Sequence, residues 1–121
     1  MEEGEKFQDI LKRKMDDYVQ LVYFVTKNFP RDELYGVTSQ LRRAALSEIL
    51  NYIEGYARIK SGVHLNFFET SYGSLKESKY LPYFSKKQNY IRNEKDYQKA
   101  LQLSEEIGKM LWCIIDSKKN K

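Results

Sequence analysis

Cysteine occurs once, at Cys113, so no intramolecular disulfide can form and a disulfide-stapled secreted domain is excluded. Such usage fits a reducing cytoplasm. Histidine also occurs once, at His64. With no second histidine and no cysteine pair, neither a zinc site nor a Cys/His nucleophile has the residues it needs, and no metal or cofactor is expected. The six glycines form no phosphate-cradling loop. No apolar run approaches the ~18 residues of a membrane span, and the start, MEEGEKFQD, has no signal-peptide core. Neither an internal repeat nor a long linker divides the chain, so residues 1–121 are expected to form a single domain.

What is present is a globular composition, 41% hydrophobic and 31% charged. The aromatic set is skewed, with ten tyrosines against one tryptophan. Tyrosine is at ease half-buried, at interfaces and pocket rims. A net charge of +4 permits contact with an acidic polymer without demanding it.

Four helical segments can be read, with no strand-like alternation. The first runs from about Glu5 to Asn28, where Phe7, Leu11, Tyr18, Leu21, Val22 and Val25 recur three and four residues apart. Phe29-Pro30 ends it, because a residue before proline avoids helical angles. Pro30 to Tyr35 reads as a turn. The second helix has Thr38 or Ser39 as its expected N-cap and closes at Lys60-Ser61-Gly62. The third starts between Ser61 and Asn66, and Pro82 should kink or stop it. The fourth begins near Asn93, a capping residue, and runs into the basic tail SKKNK. Helices of this length with short links predict an all-α, antiparallel, up-down-up-down four-helix bundle.

The second helix, TSQLRRAALSEILNYIEGYAR, carries two apolar stripes. Leu41, Ala45, Ile49, Tyr52, Tyr56 and Ile59 form one; Leu46, Leu50, Ile53 and Ala57 form another, ~100° away. One stripe is enough to pack a helix into its own bundle. The second, with Met15, Val19 and Tyr23 widening the apolar arc of the first helix, predicts contact with another copy of the chain, the alternative being a wide internal face in a tightly wrapped monomer. Between the stripes lies a polar line that includes Arg43, Ser47, Asn51 and Glu54. These can pair at helical spacing and be buried as structural polar groups. A solvated face is the alternative meaning of such a line.

The stretch FPRDELYGVTSQLRRAALSEILNYIEGYAR, with Gly73-Ser74-Leu75 and Glu77 further on, resembles the signature of the small four helix bundle proteins named for the 23S rRNA intervening sequence. Phe29, Pro30, Glu33, Tyr35, Gly36, Thr38, Gln40, the Leu41–Ala44 run, Ser47, Asn51, Glu54 and Gly55 fall on the pattern. Glu48-Ile49 departs from it, standing where an Ile-Pro pair is usual, and Tyr52 and Ile53 replace smaller residues. The resemblance implies an antiparallel bundle assembled as a homopentameric ring, with no established catalytic activity. Some relatives lie within insertions in rRNA genes, and a related retroelement accessory protein binds nucleic acid and a partner protein.

Candidate nucleic-acid contacts are Arg42, Lys86, Lys87, Arg92 and the tail lysines Lys118, Lys119 and Lys121. The segment KYLPYFSKKQNYIR interleaves aromatics and cations, as single-stranded nucleic acid requires. Its alternative reading is an aromatic plug at the end of the bundle, with wet lysines. Arg43 is expected to pair with a carboxylate such as Glu54. Paired Glu-x-x-His motifs of a di-metal bundle are absent. The expected function is therefore a non-enzymatic oligomer that associates with RNA or DNA. The alternative is an adaptor for a partner protein, without nucleic-acid contact of its own.

Overall fold

Four stretches of chain satisfy their backbone hydrogen bonds internally in the computed structural model, which describes residues 6–119. They are α1 (Phe7–Thr26), α2 (Val37–Ala57), α3 (His64–Lys87) and α4 (Glu94–Lys119). Short 3-10 turns at Arg31–Glu33 and Ile59–Ser61 join α1 to α2 and α2 to α3. Glu5, the expected first helical residue, and Lys121 of the tail lie outside the described residues. No strand occurs among the described residues. Each helix packs against its neighbours in chain order, and α4 closes the square against α1, which makes an antiparallel four-helix bundle.

Local chemistry fixes the turns. Gly62 takes a left-handed φ of 84° after the second 3-10 turn, a conformation open to a residue without Cβ. Asn89 does the same at φ 64° after α3. There the Tyr90 amide donates to the Ser85 carbonyl and the Asn89 amide to Lys86, a Schellman closure. Asn93 Oδ1 accepts the Asp96 amide and caps α4. Neither Thr38 nor Ser39 caps α2. The helix starts at Val37, whose amide donates to Glu33 Oε1 at 3.2 Å, so a carboxylate from the preceding turn serves its N-terminus.

The core is drawn from all four helices, including Leu11, Val22, Leu41, Tyr52, Phe68, Leu75, Ile107 and Leu111. Met15 and Val19 belong to it as well. They were expected to face another copy, and the structure corrects this: the apolar arc of α1 is wide because α2 and α4 both pack on it. The α2–α3 pair lies closest. Gly55 sits under the Phe68 ring, where any Cβ would collide, and Ser71, Ser74, Ser78 and Ser85 keep the buried side of α3 small.

Pro82 lies inside α3; of the expected kink or stop, the stop does not occur. Proline has no amide hydrogen, so the Ser78 carbonyl four residues earlier loses its helical donor. That carbonyl is buried and accepts instead from the Tyr18 hydroxyl of α1, across the diagonal of the bundle. The helix runs on because a side chain supplies the missing hydrogen bond.

Tyr18→Phe is thus expected to orphan a buried carbonyl and cost about 1–3 kcal/mol in urea denaturation. In a Pro82→Ala background the restored Ala amide can serve Ser78, and Tyr18→Phe should cost clearly less. Equal costs in both backgrounds would refute this account.

Candidate interaction surfaces and the buried carboxyl

The two stripes of α2 meet different fates. Leu41, Ala45 and Tyr52 are buried, while Ile49 and Tyr56 pack against the core. On the other stripe Leu46 is half-buried, but Leu50 is 58% and Ile53 45% exposed. Tyr35, at 93%, and Leu34 extend this apolar face from the preceding turn. An open groove of about 680 Å³ runs along it, bounded by Tyr23, Leu34, Tyr35, Arg42, Leu46 and Leu50.

The polar line between the stripes lies against α3. Ser47 Oγ and Ser74 Oγ are 2.8 Å apart, and Asn51 Nδ2 donates to the Ser47 carbonyl and hydroxyl. Glu54 and Arg43 do not share this contact. Glu54 accepts from Arg58 Nε at 2.7 Å, one turn on, on the outside of the bundle. Arg43 is exposed and stands eleven residues from Glu54, about 16 Å along the helix axis, too far to pair.

The predicted basic residues do not converge on one site. Arg42 is a clamp between helices: its Nε donates to Thr26 Oγ1 at 2.8 Å and its guanidinium lies 4.7 Å from the Tyr23 ring centre. Lys86 pairs with Glu94 at 2.8 Å across the α3–α4 turn. Lys87 and Arg92 are exposed near it. Lys118 and Lys119 end α4 at the opposite pole, where Lys119 pairs with Glu69 at 3.1 Å. Glu69 and Lys86 are separated by roughly 25 Å of helix. Within KYLPYFSKKQNYIR, Phe84 and Tyr90 turn inward, with Tyr90 also packed on Phe29, while Tyr80 and Tyr83 point out.

Sequence reading missed Glu48. It is fully buried, level with Tyr18 of α1, Ser71 and Ser78 of α3 and Ser104 of α4. Ser78 Oγ donates to its Oε2 at 3.3 Å, Ser71 Oγ donates to its backbone carbonyl at 2.6 Å, and its Oε1 has no partner. No cation offsets the burial, which pushes the Glu48 carboxyl up to about 8. The signal available in the sequence was the serine column of α3 at three- and four-residue spacing, which marks a polar seam facing α2. Among the described residues, no three His, Cys, Asp or Glu side chains gather as a metal site needs. No described helix is long and apolar enough to cross a membrane.

Fold and surfaces together define a small antiparallel four-helix-bundle protein with an uncovered apolar flank. The chain belongs to the 23S rRNA-intervening sequence protein family, whose model matches residues 8–113. It is also similar in fold to a crystal structure of a protein of unknown function from the S23 ribosomal protein family of Bacteroides thetaiotaomicron. The TM-score is 0.79 at 19% identity, over 92% of this chain and 99% of that one. No curated protein matches significantly.

The buried carboxyl makes stability depend on pH. Its folded value lies above the ordinary 4.5, so its contribution is complete below about pH 4.5 and is lost as pH rises through about 8. The exposed pairs of Glu94, Glu105 and Glu106 hold those carboxyls below 4.5, so their contribution is present throughout pH 5 to 8 and is lost only as pH falls further. Chemical denaturation between pH 5 and 8 should therefore show stability falling, by up to about 1.4 kcal/mol per unit. Glu48→Gln should flatten that slope; an unchanged slope would exonerate Glu48.

Proposed function

We propose that the protein is a non-enzymatic, homo-oligomeric helical scaffold of the cytoplasm that associates with RNA through basic surface. A ring of five copies is the assembly that the family resemblance implies. The observation that carries this reading is the apolar face of Leu34, Tyr35, Leu46, Leu50 and Ile53, which the protomer leaves uncovered. Contiguous apolar surface of this kind is typical of interfaces. A second copy can cover it by presenting a different surface head to tail, the geometry that closes rings. The net charge of +4 supports contact with a polyanion, and the single exposed cysteine fits a reducing compartment. The same apolar groove would also serve an adaptor that binds a partner protein, which is the second reading.

Light scattering on purified protein should give several times the protomer mass of 14.4 kDa. Leu50→Glu should lower that mass while leaving helical circular dichroism intact, because Leu50 contributes little to the protomer core. A wild type already at protomer mass would refute self-association and favour the adaptor. RNA binding should weaken steeply with salt, each phosphate contact adding about 0.7 to the logarithmic slope. Absence of binding at low salt would remove the RNA part.

A further inference from the structure

The outward face of α3 mixes aromatic rings and ammonium groups. Tyr72, Lys76, Tyr80, Tyr83 and Lys87 recur three and four residues apart, Lys79 lies beside them, and all share one stripe about 22 Å long. Lys76 Nζ lies 5.2 Å from the Tyr72 ring centre, Tyr80 and Tyr83 are 6.2 Å apart, and Lys87 Nζ lies 5.9 Å from Tyr83. From α4, Trp112 joins Tyr72 at 5.5 Å, and Lys119 sits 5.7 Å from the Trp112 ring.

Gly108 of α4 opens a groove of about 300 Å³ between the helices, bounded by Tyr72, Lys76, Lys79, Lys109 and Trp112. Three lysines surround one carboxylate there. Glu105 pairs with Lys79 at 2.7 Å, and that hydrogen bond chiefly lowers its pKa, with Lys109 and Lys76 adding to the field. Along the whole face Lys76, Lys79, Lys87, Lys109 and Lys119 outnumber Glu69, Glu105 and Asp116. Tyr80, Tyr83 and Trp112 remain about half exposed.

We propose that this α3–α4 face is a track for single-stranded nucleic acid, with bases stacked on Trp112, Tyr80 and Tyr83 and phosphates held by the flanking lysines. Stacking on aromatic platforms accepts any base, and interleaved cations follow the backbone. The track rests on the RNA association proposed above and specifies where it occurs. It keeps Lys87 of the expected cations. Arg42 is tied into the α1–α2 contact, Lys86 to Glu94 and Lys119 to Glu69.

Trp112 is the only tryptophan, so its emission reports on this face alone. The full-length protein is titrated at low salt with fluorescein-labelled oligouridine for anisotropy, and with unlabelled oligouridine for tryptophan emission. Oligothymidine and a duplex run in parallel. Both signals should change with one midpoint for either single strand, and more weakly for the duplex. Lys76→Glu with Lys109→Glu should weaken binding at least ten-fold, and Tyr80→Ala with Tyr83→Ala on the order of ten-fold. Both double variants should keep the helical spectrum of the wild type. Anisotropy that rises while Trp112 emission stays constant and both double variants bind normally overturns the track and leaves RNA association standing. Preference for the duplex also overturns it. No anisotropy change with any probe refutes RNA association itself.

Discussion

One missing hydrogen organises the centre of this bundle. Pro82 cannot donate to the Ser78 carbonyl, and the bundle supplies Tyr18 from the opposite helix in its place. A phenol brought to that point must itself be buried, and burial raises its pKa well above the ordinary tyrosine value. Glu48, Ser71 and Ser104 fill the remaining space with further polar groups, so all four helices meet in one small hydrogen-bonding centre surrounded by Leu, Ile and Phe. Groups of this kind cost more than aliphatic packing unless they are satisfied, and they restrict which helix registers are tolerable. A one-turn slip of α1 against α3 would strand the carbonyl and the phenol together.

The close approach of α2 and α3 decides what is left outside. Gly55 and the α3 serines let the two backbones draw together, and Ser47 and Asn51 are consumed in that contact. With its small and polar side turned to α3 and Leu41, Ala45 and Tyr52 turned to the core, α2 has no inward place for Leu50 or Ile53. The uncovered flank follows from how that helix divides its circumference. On α3 the same logic applies in reverse. Its narrow serine side is inside, so its tyrosines and lysines are outside.

The helices were legible in the sequence because their apolar spacing is strong, and Asn93 and Gly62 carry familiar turn chemistry. The exposure of Leu50 and Ile53 was legible for the same reason: two stripes exceed what one bundle can cover. Met15 and Val19 were misplaced because spacing shows that a residue is apolar without showing how many neighbours its helix has. For Pro82 the sequence left a kink and a stop both open, because propensity knows nothing of a tyrosine sixty-four residues earlier. Glu48 went unseen since a glutamate in a helix ordinarily faces water, and only the neighbouring α3 serines make its burial tolerable. Arg42, Lys86 and Lys119 looked like free cations because their partners lie on other helices. The α3–α4 aromatic face was hidden because Tyr72 and Trp112 are forty residues apart.

The antiparallel order also assigns a direction to the molecule. Tyr90 ties the α3–α4 turn to the α1–α2 turn through Phe29 and Glu33, sealing one pole. At the other, the Tyr52 hydroxyl reaches the Gln8 carbonyl and Lys119 reaches Glu69, so the first and last helical turns emerge beside the α2–α3 hairpin. A fused domain, tag or surface tether joined directly before Phe7 or after Lys119 would therefore start from the same pole, away from the sealed one.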